Sequence, residues 1–422
     1  MKSNFKLSLT EKQKIALDIM INGKNIFLTG PAGTGKTTIL TMFKQLMSKR
    51  NIAITSMTGV SAILLGGTTM HSFFGIGLGT GTVDDLLTKI LKNPKAKGKW
   101  MYTDTVIIDE ISMLSAELFE KLDIIGRQIR GLNTHFGGLQ LILCGDFLQL
   151  PVINNPCFCF ESKIWKECID ETVYLNEIVR QSDNEFQNIL NDIRIGNISK
   201  EIRTFLDSRI TEKIKSDIKP TRLYTTNRDV NELNENELYK LDDGKNSFFE
   251  YNIQIHFYIP QKNEKNYFEK FIKNCSLPSK LILCVGAQVM LLKNVDVENG
   301  LANGSRGIVT KFVNDIPYVK FLNDKEIMID FCDWEIEEGN NKIAKIIQIP
   351  LQLAWSLTVH KAQSCTLDNV EVDLSNIFEY GQAYVALSRV RNKEGLRILS
   401  IDYSGIKAHP KAVKYYKDLN KK

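Results

Sequence analysis

Apolar residues in the first third of the chain alternate between short continuous runs and stretches with helical spacing. Four runs, each followed by glycine or polar residues, are typical of buried strands. These runs are residues 25–30, 51–59, 105–110 and 139–145. Helical spacing of apolar residues covers 36–50 and 114–129. Strands that alternate with helices in this way predict a doubly wound α/β domain with a parallel sheet.

The pattern changes at two places further along the chain. Residues 75–101 are rich first in glycine and then in lysine, which indicates a small insert. Short runs at 307–313, 317–321 and 326–331 alternate apolar and polar residues, which predicts antiparallel strands of a small β-barrel. We therefore predict three units along the chain. They are a first α/β domain over 1–174 with an insert at 75–101, a second α/β domain over 175–241 and 347–422, and a β insert over 242–346.

Composition limits the classes of function without selecting one. The 422 residues carry a formal net charge of +5, which is compatible with a polyanionic partner. We find no apolar run of the roughly 18 residues that a membrane span needs, and the N-terminus has no apolar core typical of a secretory signal. Eight scattered cysteines indicate a reducing compartment rather than disulfides or zinc. We expect an intracellular protein, in the cytoplasm or the nucleus, that does not bind membranes.

The clearest chemical motif is GPAGTGKT at residues 30–37, which follows a predicted strand and precedes a predicted helix. Backbone N–H groups of such a loop and the start of the helix bind phosphates. Lys36 is placed for the β- and γ-phosphates, and the Thr37 hydroxyl for Mg²⁺. The nucleotide-binding residues that this motif predicts are Gly30, Pro31, Ala32, Gly33, Thr34, Gly35, Lys36, Thr37 and Thr38.

Acidic and amide residues follow two other predicted strands. Asp109 ends one strand, where its carboxylate can hold Mg²⁺, and Glu110 suits orientation or activation of an attacking water. Gln149 follows another strand and can sense the γ-phosphate, although a solvated loop amide is an equal interpretation. The Asp-Glu pair favours nucleotide hydrolysis. A small-molecule kinase and a non-catalytic nucleic-acid-binding module are the alternatives.

A series of further motifs follows in fixed order over nearly the whole chain. The segments are LTEKQ (9–13), GPAGTGKT (30–37), TGVSAILLGGTTMHSFFGIG (58–77), IIDEISML (107–114), SAELFEKLDIIGRQIR (115–130), GGLQLILCGDFLQLPV (137–152), LNEIVRQ (175–181), LYTTN (223–227), GAQVMLLKN (286–294), LANGSRGIV (301–309) and GQAYVALSRV (381–390). The series resembles the Pif (petite-integration-frequency) family of 5′→3′ DNA helicases in superfamily 1. RecD-type and Dda-type helicases share the core but lack the helix at 115–130.

The resemblance implies two RecA-like P-loop domains with ATP between them, a wedge insert in the first and an SH3-like β-barrel insert in the second. It implies that Gln13 reads adenine and that Gln363 orders the loop near the nucleotide. Arg180 and Arg389 would act as arginine fingers from the second domain. The implied enzyme is a DNA-stimulated ATP hydrolase that uses Mg²⁺. Its catalytic residues would be Lys36, Asp109, Glu110, Gln149, Arg180 and Arg389.

The implied partners are single-stranded DNA and duplex DNA with a 5′ tail, bound by a monomer. One phenylalanine of the adjacent pair would stack on a base, and the other would belong to the core. The implied DNA contacts are Thr58, Gly59, His71, Ser72, Phe73 and Phe74 on the first domain, and Thr226, Asn227, His360 and Lys361 on the second. The lysines of 75–101 either contact phosphates or are solvated. Where the family usually has glycine after Gln363, this chain has Ser364 and Cys365, and we expect the motif to work.

The resemblance leaves the biological role open. G-quadruplex unwinding, DNA replication, repair, recombination and telomere maintenance are all roles that it suggests, and the sequence does not select among them. Within the class, the alternative is a translocase that strips proteins from DNA or serves a nuclease complex.

Overall fold

The computed structural model describes most of the chain, with gaps. It covers residues 9–58, 61–62, 65–152, 157–181, 183–212, 214, 219–224, 227–244, 246–258, 277–293, 295–296, 301, 303–338, 341–363 and 365–419. For residues 227–228, 335–338, 341–343, 360 and 361 it describes the backbone alone. Among these residues, no helix is both long enough and apolar enough to cross a membrane.

A parallel sheet of six strands forms the first α/β domain, in the order β3-β2-β4-β5-β1-β6. Its strands are β1 Ile26–Thr29, β2 Ile52–Ser56, β3 Thr68–Thr69, β4 Thr105–Asp109, β5 Gln140–Gly145 and β6 Glu171–Tyr174. Its main helices are α1 Glu11–Ile21, α2 Lys36–Leu46, α3 Met70–Phe74 and α6 Ala116–Arg130. Ile26 and Leu28 belong to the core on one face and Phe27 to the core on the other. The four predicted strands are therefore confirmed, and both faces of the sheet are covered.

The predicted insert at 75–101 is a pair of short helices, α4 Val83–Leu91 and α5 Pro94–Tyr102. Leu86, Ile90 and Trp100 from these helices are buried in the core of the first domain. Its lysines 89, 92, 95 and 97 are exposed, and Lys99 is half-buried with Nζ 5.9 Å from the Phe73 ring. The apolar side of each helix thus fixes the insert to the domain and leaves four of its five lysines toward solvent.

A second parallel sheet has four strands in the order β18-β7-β19-β20. Its strands are β7 Thr221–Tyr224, β18 Ser356–Thr358, β19 Val370–Leu374 and β20 Leu396–Ile401. Its helices are α8 Asn184–Arg194, α9 Lys200–Thr211, α10 Asn227–Tyr239, α11 Val359–Ala362 and α12 Gln382–Leu387, while the short α7 Trp165–Cys168 joins the first core. The second sheet has an apolar core of its own, in agreement with two α/β units, and Ala32 and Leu150 of the first domain also belong to this core.

Antiparallel strands lie between β7 and β18, as the alternating pattern predicts. A five-stranded sheet has the order β14-β13-β12-β11-β17, beside sheets of three strands (β15-β16-β9) and two strands (β10-β8). The bounds are β8 Phe249–Asn252, β9 Gln254–Phe257, β10 Lys280–Leu283, β11 Gln288–Leu291, β12 Arg306–Val313, β13 Ile316–Phe321, β14 Glu326–Met328, β15 Cys332–Glu338, β16 Asn341–Gln348 and β17 Leu351–Leu353. The expected boundary at 346 falls inside β16, and β17 beyond it still pairs with β11.

The helix α13 Pro410–Leu419 returns to the first domain, although the sequence pattern assigned it to the second. Ala412 and Tyr416 are buried in the first core. The Tyr416 hydroxyl lies 2.6 Å from Thr29 Oγ1 and accepts a hydrogen bond from the Phe147 N–H at 3.1 Å. The helix has an apolar face, but its spacing alone does not indicate which domain that face covers.

Candidate functional site

A cavity of about 930 Å³ lies where the carboxyl ends of the first sheet face the second domain. Arg180 and Arg389 line it from the second-domain side, and Leu292, Lys293 and Trp334 of the β insert also reach it. From the first domain, the predicted site residues that line it are Ala32, Gly33, Thr34, Gly35, Lys36, Thr37, Thr38, Asp109, Glu110 and Gln149. Ala32 and Arg389, which are 357 positions apart in sequence, therefore share one cleft, and such a cleft is the usual place for a ligand in parallel α/β sheets.

The loop between β1 and α2 is held closely by Gln13, Arg180 and its own lysine. Gly33 and Gly35 have positive φ angles of 82° and 79°. A Cβ atom on Gly33 would lie 2.6 Å from Arg180 Cβ, and one on Gly35 would lie 2.7 Å from Gln13 Nε2. Lys36 Nζ donates hydrogen bonds of 2.8 Å to the carbonyls of Gly30 and Pro31. Burial lowers the pKa of Lys36, against the nearby acidic groups that raise it.

Asp109 and Glu110 follow each other at the end of β4, and both are buried. Burial raises the pKa of Asp109, although Cys144, the Glu110 backbone and Lys36 act in the opposite direction. Glu110 has φ 57° and ψ 45°, a left-handed conformation that costs about 1–3 kcal/mol for a residue other than glycine. The Asp109 carboxylate and the Thr37 hydroxyl are hard oxygen donors on the same cavity, a donor set that suits Mg²⁺.

Arg180 and Arg389 approach this cavity from the second domain. Arg180 NH1 donates to the Ser388 carbonyl at 3.1 Å. Arg389 Nε donates to the Val385 carbonyl at 2.8 Å, and its NH2 donates to Ser388 Oγ at 2.7 Å. Burial, and then the charge of Arg389, lowers the pKa of Arg180 to about 9, so this guanidinium is a cation at neutral pH. Burial also lowers the pKa of Arg389. Both predicted fingers thus face the phosphate-binding loop.

Two predicted glutamines meet across the domain boundary, and a third binds the phosphate-binding loop. Gln363 Nε2 donates to Gln149 Oε1 at 3.5 Å, and both residues are buried. Gln13 accepts from the Thr10 N–H at 3.0 Å and donates to the Thr34 carbonyl at 3.1 Å. Gln13 is therefore fixed next to the loop that would hold the nucleotide.

The predicted DNA contacts divide into accessible and buried residues. Thr58 is half-buried and donates to Ser61 Oγ at 3.0 Å, and Ser72 is exposed. His71 is half-buried, and burial lowers its pKa. Gly59, Thr226 and Ser364 lie outside the described residues, as do the side chains of Asn227, His360 and Lys361.

Stacking of Phe73 or Phe74 on DNA, which the resemblance implies, does not agree with their burial. Phe73 is 3% exposed and Phe74 is fully buried. The two rings pack edge to face at 5.0 Å, and Phe74 packs on Trp100 at 4.4 Å. Trp100 Nε1 also donates to the Phe74 carbonyl at 3.1 Å. Both rings therefore belong to the core, because the helical insert covers them.

Sequence reasoning missed several residues that hold the cleft together. Arg194 and Asp146 form a buried ion pair with two contacts of 2.8 Å, and the Ala32 N–H donates to the Tyr384 hydroxyl at 2.8 Å. Asp146 directly follows β5, as Asp109 ends β4, and this position could have indicated a role. Arg194 gives no comparable local signal, because its partner is 48 residues away. Tyr384 lies within the motif at 381–390, but the motif does not indicate its partner, which is 352 residues away.

Comparison with known proteins gives matches over the whole chain. The family model described as "PIF1-like helicase" matches residues 8–204, and "DNA helicase Pif1, 2B domain" matches residues 267–312. The human "ATP-dependent DNA helicase PIF1" is 38% identical over 424 residues, which cover 99% of this chain but 64% of the human protein.

Two solved structures are similar in fold. The crystal structure of Pif1 helicase from Candida albicans has a TM-score of 0.76 at 38% identity, over 97% of this chain and 99% of that one. Bacteroides Pif1 helicase in complex with ADP-AlF3 and ssDNA has a TM-score of 0.66 at 29% identity, over 98% of this chain and 97% of that one. From these similarities in sequence and fold, the chain belongs to the Pif1 family of helicases.

Proposed function

We propose that this protein is an ATP-dependent DNA helicase that moves 5′→3′ along single-stranded DNA and unwinds duplex DNA as a monomer. The observation that carries the proposal is the shared cavity, where Lys36 of the first domain faces Arg180 and Arg389 of the second. Hydrolysis and domain movement are coupled in such an arrangement, since both arginines are in place only while the domains are closed.

ATP would bind along the loop at residues 30–38. Lys36 would exchange its bonds to the loop carbonyls for phosphate oxygens, and Glu110 would orient or activate the attacking water. Arg180 and Arg389 would stabilise the charge that develops on the γ-phosphate. Mg²⁺, held by Thr37 and Asp109, would neutralise phosphate charge when bound. The hydrogen bond between Gln149 and Gln363 offers one connection from the phosphate site to the second domain.

A single strand would lie along both α/β domains, held by its backbone. Thr58, His71 and Ser72 are the first-domain candidates that the structure leaves accessible, whereas Phe73 and Phe74 are no longer among them. Thr226, Asn227, His360 and Lys361 remain the second-domain proposals, and Gly59 remains a proposal on the first domain. The helical insert at 75–101 would part the duplex, and the antiparallel strands would close over the strand.

ATP hydrolysis with and without single-stranded DNA tests the motor, with Lys36→Ala as the inactive control. We expect DNA to stimulate hydrolysis, and stimulation that is absent in the unmodified protein would contradict the proposal. Duplexes with a 5′ or a 3′ tail then test polarity, and unwinding of the 3′-tailed duplex alone would reverse it. A G-quadruplex substrate belongs in the same assay, since the resemblance suggests it.

A further inference from the structure

We propose that Tyr384 is a positioning residue whose hydroxyl fixes the helix that leads into Arg389 against the phosphate-binding loop. The inference rests on the proposed function, because it concerns how the second domain delivers an arginine to ATP. Neither the phosphate-binding motif nor the predicted DNA contacts include Tyr384.

The contact itself crosses the domain boundary. The Ala32 N–H donates to the Tyr384 hydroxyl at 2.8 Å, and Tyr384 is 2% exposed. Ala32 belongs to the phosphate-binding loop, four residues before Lys36. Burial raises the pKa of Tyr384 to about 12, so the phenol is protonated at neutral pH. The neutral hydroxyl of Tyr384 therefore accepts a hydrogen bond from a backbone N–H of the loop.

The start of the same helix is pressed against the first domain. Gly381 precedes α12 with φ 72°. A Cβ atom at Gly381 would lie 2.5 Å from the Leu148 carbonyl oxygen and 2.6 Å from that of Gln149. The helix thus meets the first domain at its beginning and at Tyr384, and two points fix its direction as well as its position.

Arg389 takes its position from this helix. Its Nε and NH2 bond Val385 and Ser388, at 2.8 and 2.7 Å, and its backbone N–H bonds the Ala386 carbonyl at 3.3 Å. Arg389 itself lies two residues past the end of α12 at Leu387 and five positions after Tyr384. Because the guanidinium is held by the helix itself, a tilt of the helix moves the arginine with it.

Tyr384→Phe removes the hydroxyl and keeps the ring, so the variant tests the hydrogen bond without leaving a cavity. We expect kcat for DNA-stimulated hydrolysis to fall by about threefold to tenfold, the range of one net hydrogen bond, with KM for ATP within about twofold. Tyr251→Phe is the matched control. Its hydroxyl donates to the Asp315 carbonyl at 2.6 Å within the β insert, and Tyr251 is 6% exposed. We expect that variant to keep the kcat of the unmodified protein.

A double variant separates positioning from general stability. If Tyr384 acts through Arg389, Tyr384→Phe lowers the rate of the unmodified protein but does not lower the residual rate of Arg389→Ala further. An unchanged kcat in Tyr384→Phe, or an equal loss in both backgrounds, would overturn the inference. Absence of DNA-stimulated hydrolysis in the unmodified protein would instead contradict the proposed function, so the two failures are distinguishable.

Discussion

Arg194 and Asp146 form a bidentate ion pair in the interior, with Nε and NH2 each donating to a carboxylate oxygen at 2.8 Å. Asp146 is fully buried and Arg194 is 4% exposed. The guanidinium also lies 4.8 Å from the Tyr416 ring. The pair joins the end of β5 in the first domain to the last residue of α8, and the aromatic ring comes from α13.

Removal of one partner should destabilise the protein strongly. Arg194→Met leaves a buried carboxylate without its cation, and we expect a loss of about 3–5 kcal/mol in the free energy of unfolding. Urea denaturation followed by circular dichroism measures it. Lys24→Met is the matched control, since the Lys24–Glu171 pair is exposed on both sides and should contribute about 0–1 kcal/mol. Similar small losses in both variants would contradict the prediction.

Phe74 should contribute to stability rather than to DNA binding. Phe74→Ala leaves a cavity beside Trp100, and we expect a loss of about 3–5 kcal/mol in the free energy of unfolding. Ser72→Ala, an exposed position two residues earlier, should change it by no more than about 0.5 kcal/mol. Chemical denaturation tests both variants. Full stability in Phe74→Ala, together with weakened binding of single-stranded DNA, would restore the stacking interpretation.

Arg389 should act in the chemical step. We expect Arg389→Ala to lower kcat for ATP hydrolysis by about 10³-fold or more, with a much smaller change in KM, because a finger stabilises charge that develops in the transition state. Steady-state kinetics with saturating DNA measure both constants. Arg203→Ala is the control, since Arg203 packs on Tyr403 with its guanidinium 4.6 Å from that ring, outside the residues that line the cavity. A change confined to KM would mean that Arg389 binds ATP without assisting hydrolysis.

Protons and Mg²⁺ should compete for Asp109. Burial raises the pKa of this carboxyl, so it becomes neutral at a higher pH than an ordinary aspartate, and hydrolysis is lost as the pH falls through that value. A bound cation favours the ionised form. We therefore expect the acid limb of kcat/KM to move to lower pH when free Mg²⁺ is increased above the ATP concentration. If the acid limb of the pH profile of kcat/KM lies at the same pH for both Mg²⁺ concentrations, this result would argue against Asp109 as the metal ligand.

The sequence predicted the candidate site best where its functional residues lie close together along the chain. Lys36, Thr37 and Asp109 lie in short motifs next to apolar runs, and the structure places all three on one cavity. The contacts of Tyr384 and Arg194 were missed, although Tyr384 lies in a motif at 381–390, because hydrogen bonds between distant residues leave no pattern along the chain. The pair Phe73–Phe74 was misinterpreted for a related reason. Exposed aromatic residues can stack on bases, but whether these are exposed depends on Trp100, which comes from a different segment.

The return of α13 to the first domain has a practical consequence for measurements of motion. Lys417 is exposed on this helix, while Tyr416 beside it is buried in the first core. A fluorophore or surface tether attached at Lys417 would follow the first domain, although the neighbouring strand β20 belongs to the second. A distance probe for opening of the cleft therefore needs its second label on an exposed residue of α9, such as Glu201. Paired with a label at Glu201, a label at Lys417 would be a fixed reference point for measuring the proposed opening of the cleft.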